Sequence, residues 1–348
     1  MTTAIAKSDS GTASVSNIDL DALRRAGKIF KENAGASALD IGDRVGLVEF
    51  HTKANSINDD VCAIIKAVCE DGTAHFDALV IGNRGKHFSA GANLSYVLNS
   101  ARAGQWTELE NTLRNFQGAG MALKYGPLPV VAAPFSSALG GGCEVCLHSA
   151  RVVVADSTHM GLVETGVGLI PAGGGTTELG TRALDRAGPQ LFADPLRTLK
   201  KPFDLIAYAH VTRTGTEAKE IYLSDADTTV ATKESPIEVA KEVALGLVRS
   251  GHRNSKPRTD VPVIGTKGVR AFQARTKQMR DAKTISEHDA TIAVHIATIL
   301  CGGDQPAGSA TEQHFLDLER EAFLSLLGTD KTQERIEFLL KNNKPLRN

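Results

Sequence analysis

Two glutamates stand in company that carboxylates usually avoid. Glu144 ends the run Ala138-Leu-Gly-Gly-Gly-Cys-Glu, and Glu164 lies inside Met160-Gly-Leu-Val-Glu-Thr-Gly-Val-Gly-Leu-Ile-Pro171. A carboxylate among small and apolar residues is costly to bury unless it is hydrogen-bonded, paired or used chemically. Two carboxylates facing one pocket can hold a water between them. One then takes a proton from the water while the other delivers a proton. Either could instead be a satisfied structural partner of an arginine or a backbone amide, and spacing alone leaves both readings open.

The three glycines Gly140, Gly141 and Gly142 let the backbone fold tightly and let a ligand approach it closely. They follow a strand expected over Pro129 to Ala133, and Glu144 to Ala150 suits the start of a helix. Free N–H groups at a helix N-terminus favour negative charge, so a carbonyl placed there would be polarised as it gains enolate character. In oxyanion holes one such donor contributes roughly 3 to 4 kcal/mol. A second small segment, Ala90-Gly91-Ala92, offers main chain rather than side chain. One N–H from it and one from Gly141 would complete a two-donor hole. The bland alternatives are a Gly-rich turn and an ordinary loop capped by Asn93. Ala172-Gly-Gly-Gly175 opens another helix, expected close to the pocket.

These residues need a frame. The runs Arg44 to Phe50, Ala78 to Ile81, Pro129 to Ala133 and Arg151 to Ala155 are apolar, rich in β-branched residues and bounded by Gly, Pro or Asp, as buried strands are. Val61, Ile64, Ile65 and Val68 repeat at helical spacing, as do Leu109, Leu113 and Phe116. Alternating strands and helices predict an α/β core. Beyond residue 200 the pattern turns helical. Capping boxes are expected at Ser235–Glu238 and at Ser309–Glu312, with helices over Ser286–Leu300, Ser309–Leu327 and Gln333–Lys341. The expected organisation is a poorly ordered lead-in over 1–30, an α/β core over 31–200 and a helical region over 201–348.

Composition narrows the partners. Thirty-nine Lys and Arg balance forty Asp and Glu, so no bulk field attracts nucleic acid or an anionic membrane. No apolar run approaches the roughly 18 residues of a membrane-spanning helix. Met1 to Asn17 lacks the apolar stretch of a secretory signal. Five cysteines in so long a chain do not form a disulfide framework, and a reducing, cytoplasmic setting is expected. Cys143-Glu-Val-Cys146 has no second pair, and the ten histidines form no HExxH cluster, so no metal is expected. Gly166-Val-Gly168 lacks the third glycine of a dinucleotide fingerprint. Lys200-Lys201 and Arg270 to Lys283 read as solvated faces.

Phe88-Ser-Ala-Gly-Ala-Asn93, Ala138 to Glu144 and Glu164 to Gly175, in this order and spacing, resemble the crotonase (enoyl-CoA hydratase/isomerase) superfamily. Met121-Ala-Leu-Lys-Tyr125, Val131-Ala-Ala-Pro-Phe135 and Leu318-Glu-Arg-Glu-Ala-Phe323 are similar to the hydratase portion of bacterial fused 3-hydroxyacyl-CoA dehydrogenases. The likeness runs from about Asn33 to the C-terminus. It implies a spiral of ββα units, with C-terminal helices used in trimer and hexamer assembly. By motif position Ala90 and Gly141 supply the oxyanion N–H groups, Glu144 is the base on water and Glu164 the proton donor to the α-carbon. Lys53, Ala54, Ser89, Gly91, Ala92, Asn93 and Gly140 would border the acyl-CoA, Lys53 towards its nucleotide. Asn93 stands where the superfamily commonly has Asp. Retention of both acids favours reversible hydration of trans-2-enoyl-CoA to 3-hydroxyacyl-CoA in fatty-acid β-oxidation, with no cofactor beyond the CoA of the substrate. The alternatives are another acyl-CoA enzyme of the superfamily, an isomerase or ring-opening hydrolase, and a non-catalytic module that docks with a separate dehydrogenase or thiolase.

Overall fold

A computed structural model describes residues 17–188, 193–224, 228–231 and 236–348. The strands are, in chain order, β1 (Ile29–Glu32), β2 (Ala36–Asp40), β3 (Val45–Phe50), β4 (Ala78–Ile81), β5 (Val130–Ala132), β6 (Ser137–Leu139), β7 (Arg151–Ala155), β8 (His159–Gly161), β9 (Thr228–Ala231), β10 (Val261–Val263) and β11 (Gly308–Ala310). The helices are α1 (Leu20–Arg25), α2 (Asp59–Asp71), α3 (Leu94–Arg102), α4 (Trp106–Tyr125), α5 (Gly141–Leu147), α6 (Gly175–Ala187) and α7 (Pro195–Ala207). They continue with α8 (Gly215–Ile221), α9 (Pro236–Arg249), α10 (Thr266–Asp281), α11 (Glu287–Leu300), α12 (Glu312–Leu327) and α13 (Asp330–Asn342). None of the described helices is long and apolar enough to cross a membrane.

The main sheet has the order β1-β2-β3-β4-β5-β7-β9. Its first two pairings are antiparallel and the other four parallel. Alternate residues of its strands feed two cores. Val48, Leu79, Ile81, Val130, Ala132, Val152 and Val154 meet the α2 face of Val61, Ile64, Ile65 and Val68. Val45, Leu47, Val80, Val131 and Val153 meet Ile237, Ala240, Ala244 and Leu247 of α9. Because both faces are covered, the strands read as continuous apolar runs rather than alternating ones.

A second, shorter layer runs beside the sheet. Ile57 bridges Ala92, Ser89 bridges Ala138, and β6 pairs in parallel with β8. Successive turns of the chain thus lay one strand in the sheet and one short segment in this layer. That is the spiral of ββα units, and α10 to α13 form the helical C-terminal region.

Several expectations shift. Residues 1–16 of the expected lead-in lie outside the described residues, but α1 and the start of β1 stand inside 17–30. Leu20 is buried against the second core, with Ile18, Leu23 and Ile29 packed around it. β9 and α9 also come after residue 200 yet complete the main sheet and cover its second face. Ser235 lies outside the described residues. Ser309 does not cap α12: it pairs with Pro262 in the β10–β11 ladder, and Thr311 caps instead, accepting the His314 amide. α5 starts at Gly141, three residues before the expected start, because packing against Phe116 and Ile57 holds the glycines in the helix despite their poor propensity.

The C-terminal helices reach back to the turn that carries Glu164. Arg335 of α13 is 1% exposed and donates to Asp289 at 2.8 Å, to the Asn348 side chain at 2.8 Å and to the Thr165 carbonyl at 3.5 Å. Breaking a buried ion pair on one side costs about 3 kcal/mol or more. Arg335→Ala is therefore expected to lower unfolding free energy by about 3 kcal/mol, read from urea denaturation followed by circular dichroism. A change within experimental scatter would contradict this account.

Candidate active site

Parallel pairing of β6 with β8 sets Leu139 beside Gly161, so the two strands leave the layer at the same end. β6 runs into Gly140 and then α5, which carries Glu144. β8 runs through Leu162 and Val163 into a 3-10 turn that begins at Glu164. Gly140 makes the corner at φ 53° and ψ −123°, outside the range that side-chain-bearing residues favour. A Cβ there would come within 2.9 Å of Glu164 Oε1. The turn and the acid are therefore in direct contact.

Both glutamates line one cavity of about 80 Å³. Apart from these acids, Asn58 and Thr112, its walls are apolar, among them Ile57, Leu109, Leu113, Phe116, Ile170 and Phe323. Several of these come from the helical stretch between Leu94 and Tyr125. A buried water needs about 10 to 15 Å³ of such space and two or more polar partners, so the volume and the two acids suffice to hold one. A roomier cleft of about 450 Å³, lined by Leu179, Arg186, Arg197 and Tyr222, contains neither glutamate. Volume does not pick out this site; the convergence of carboxyls does.

The two acids are held differently. Glu144 is 2% exposed, and its Oε1 accepts the amides of Gly173 and Gly175, each at 2.8 Å. Its Oε2 takes no hydrogen bond from the described residues. Burial pushes its carboxyl up to about 7 against the pull of those two amides. Glu164 is only half-buried as a residue, yet its Oε2 is buried with no partner. Burial, and after it the charge on Glu144, push its carboxyl well above the usual range. The different surroundings set the two acidities apart.

The other expected residues divide into two groups. Gly141 and Ala92 line the cavity, and a Cβ on Gly91 would lie 3.4 Å from the Gly141 nitrogen and 3.6 Å from the Gly140 Cα. Among the described residues no backbone carbonyl takes the Gly141 N–H. The Ala90 amide, expected as the second donor, donates instead to the Ala54 carbonyl at 3.1 Å. Ala54, exposed, sits at φ 55° in the turn Lys53–Asn55, which aims its carbonyl at that amide. Lys53 is exposed and off the cavity. Ser89 is fully buried, with its backbone paired to Ser137 and Leu139 and its hydroxyl accepting the Gly91 amide. Asn93 caps α3 by accepting the Tyr96 amide, as the bland reading held. Cys143 and Cys146 are buried thiols on α5, pushed up by burial.

Sequence reading missed three supports of the site. Phe116 packs edgewise on Gly141 and Gly173. Asn83 holds the 85–88 loop by donating to the Phe88 carbonyl and accepting the Gly85 amide. Gln117 donates to the carbonyls of Ala172 and Leu316 and so ties α4 to the glycine turn. The only signal for any of them was the Gly-rich Ala172–Gly175 segment, placed near the pocket without its role.

Comparison with known proteins bears on the fold. Residues 40–188 match the model of the enoyl-CoA hydratase/isomerase family. A probable 3-hydroxyacyl-CoA dehydrogenase of Bacillus subtilis (strain 168) is 41% identical over 333 residues, which are 95% of this chain and 41% of that protein. A putative fatty acid oxidation complex trifunctional enzyme of Rickettsia felis is 27% identical over 90% of this chain and 40% of its own length. This chain thus spans about two fifths of those relatives. Among solved structures, an enoyl-CoA hydratase from Bacillus halodurans superposes with a TM-score of 0.58 at 15% identity, over 87% of this chain and 99% of that one. An enoyl-CoA hydratase/isomerase from Mycobacterium paratuberculosis gives 0.57 at 17% identity, over 88% and 99%. The fold is the crotonase fold, and residues 40–188 of the chain are similar to the enoyl-CoA hydratase/isomerase family.

Proposed function

We propose that this crotonase-type protein hydrates trans-2-enoyl-CoA thioesters reversibly to 3-hydroxyacyl-CoA. The observation that carries the reading is the pair of glutamates in one largely apolar cavity, one held by two amides and the other with its Oε2 unpartnered among the described residues. At neutral pH Glu144 is the acid that more readily gives up its proton, and Glu164 keeps its own. A general base and a general acid separated by their surroundings are what addition of water requires.

The step balances on these two groups. The ionised Glu144 takes a proton from water as its oxygen bonds to C3 of the enoyl chain. The electron pair of the double bond moves to C2 and the thioester oxygen, where the Gly141 N–H receives the developing charge. Glu164 then delivers its proton to C2. The product carries the water's oxygen with one of its hydrogens, and the proton that Glu164 gave; the water's other proton, now on Glu144, passes to Glu164 and resets the pair. A second amide at the oxyanion would be that of Ala90. The thioester carbonyl would replace the Ala54 carbonyl there, exchanging one acceptor for another. An isomerase needs only proton transfer between carbons, and retention of two acids around room for a water favours hydration over it. The printed names of the longer relatives fit a dehydrogenase that acts next on the 3-hydroxyacyl product, as a partner of this chain. Assembly into a trimer or a dimer of trimers, in a cytoplasmic setting, belongs to the same proposal.

Crotonyl-CoA hydration, followed as loss of the conjugated thioester absorbance, tests the activity. Glu144→Gln and Glu164→Gln are each expected to lower turnover by about 10²- to 10⁴-fold, while CoA-thioester binding measured by calorimetry is retained. A double variant that still turns over would refute the assignment.

The weakened acidity of Glu144 has a consequence independent of activity. Between its ordinary 4.5 and about 7 the folded chain holds a proton that the unfolded chain has lost. Stability contributed by this group therefore falls as pH rises through that window and is level above it. Glu144→Gln removes this fall, so the variant should gain relative to the wild type between pH 5 and pH 8 in urea denaturation. Parallel curves would show that Glu144 does not titrate there.

A further inference from the structure

The motif Leu318-Glu-Arg-Glu-Ala-Phe323 places a third carboxylate behind the site. Glu319 of α12 is 0% exposed. Its Oε2 accepts the Gly174 amide at 2.8 Å, and its Oε1 accepts the Thr177 amide at 2.6 Å and the Thr177 hydroxyl at 2.9 Å. The amides at the start of α6 are therefore shared out in alternation. Gly173 and Gly175 serve Glu144, while Gly174 and Thr177 serve Glu319.

Neighbouring peptides in such a turn cannot rotate independently, because each N–H and the preceding carbonyl share one plane. Gly174 sits at φ 107° and ψ 0°, a left-handed conformation. A Cβ on it would come within 2.7 Å of the His148 ring. The His148 ring in turn reaches the Glu144 carbonyl through Nδ1 at 2.7 Å. Glu319 on one side and His148 on the other thus pin the middle peptide of the turn.

The charged groups around this pair are already engaged. Lys124 of α4 pairs with Glu178 and Glu312, Arg182 of α6 pairs with Glu178, and Arg320 of α12 pairs with Asp317 and Glu110. Burial holds His148 below the usual histidine range, so it is neutral at pH 7. Glu144 and Glu164 are the remaining titratable groups that face the turn from α5 and the 3-10 segment. No cation among the described residues binds Glu319; its three donors are a hydroxyl and two amides.

We propose that Glu319 is a positioning residue: by holding the Gly174 and Thr177 amides it fixes the turn that aims the Gly173 and Gly175 amides at Glu144. It touches no cavity-lining atom of the substrate space and acts through Glu144 alone. The proposal rests on the reading of Glu144 as the base, but its geometry concerns only the turn.

The test is Glu319→Gln. A glutamine sets an NH₂ or a single carbonyl against donors that now meet two acceptor oxygens, so the Gly174 peptide is released. Burial, and after it the charge on Glu144, push the Glu319 carboxyl itself well above the usual range, so the substitution removes little charge. The Glu144 amides then bind less well, and Glu144 should hold its proton about tenfold more tightly. Infrared titration of the carboxyl band, assigned by difference from Glu144→Gln, reads this directly and without substrate. In parallel, kcat for crotonyl-CoA should fall by up to about 100-fold with KM little changed, and the acidic limb of the pH–rate profile should move upward. A folded variant whose Glu144 midpoint is unmoved or lowered would overturn the proposal. If Glu319→Gln does not fold, Thr177→Val, which removes the hydroxyl donor alone, should move the midpoint in the same direction by less, and no movement would again overturn it. If the wild type does not hydrate crotonyl-CoA, the functional reading fails while the infrared titration still decides the role of Glu319.

Discussion

The site rests on one interaction, a buried carboxylate held by backbone amides rather than by a cation. Glu144 has no lysine or arginine partner among its hydrogen bonds, and its Oε1 is met by Gly173 and Gly175. These amides belong to the start of α6, a 13-residue helix whose N-terminal partial charge favours an anion. An arginine partner would hold the acid ionised across the whole pH range and make it a poor base. Neutral amides offset part of the desolvation and leave a carboxyl that titrates near 7. The arrangement also fixes its own shape. A Cβ on Gly173 would fall 2.1 Å from Phe116 and 2.7 Å from Glu144 Oε2, so turn, ring and acid leave each other no slack.

That interaction would be useless without the topology that brings Glu164 to it. Parallel pairing in the short layer makes β6 and β8 end together, and each is followed at once by its acid-bearing turn. The main sheet does the same at larger scale. Its parallel strands are covered on one face by α2 and on the other by α9. Helices from the far end of the chain close the assembly. α12 supplies Phe323 to the cavity wall, and α13 supplies Arg335, which grips the carbonyl next to Glu164.

Much of this was legible in the sequence where the physics is local. Ala78–Ile81 and Arg151–Ala155 announce themselves because a strand covered on both faces must be apolar throughout. Glu144 and Glu164 stand out because a carboxylate among glycines and valines has to be justified. The failures share one cause: local pattern does not say which partner a group will meet. Ser309-x-x-Glu312 has the letters of a capping box, but the β10–β11 ladder claims its backbone first. Nothing in the run Glu319-Arg320-Glu321 singles out Glu319, yet α12 turns it fully inward. Arg335 likewise sits on a helix rich in charges and is almost wholly buried.

The same logic explains why the cavity can carry one proton in a defined place. Two carboxyls in a small apolar space do not both ionise readily, since burial disfavours each charge and the first charge opposes the second. Through neutral pH the pair therefore tends to keep one proton, and the hydrogen-bond donors decide which acid lacks it. Both donating amides converge on Glu144, and the buried Oε2 of Glu164 has none. The asymmetry is thus written in the backbone: three glycines whose peptides can be aimed, beside a corner glycine that lets the second acid lie against the chain. Side chains at those positions would block the approach before any question of chemistry arose, which is why the glycines, more than the glutamates, define what this site can be.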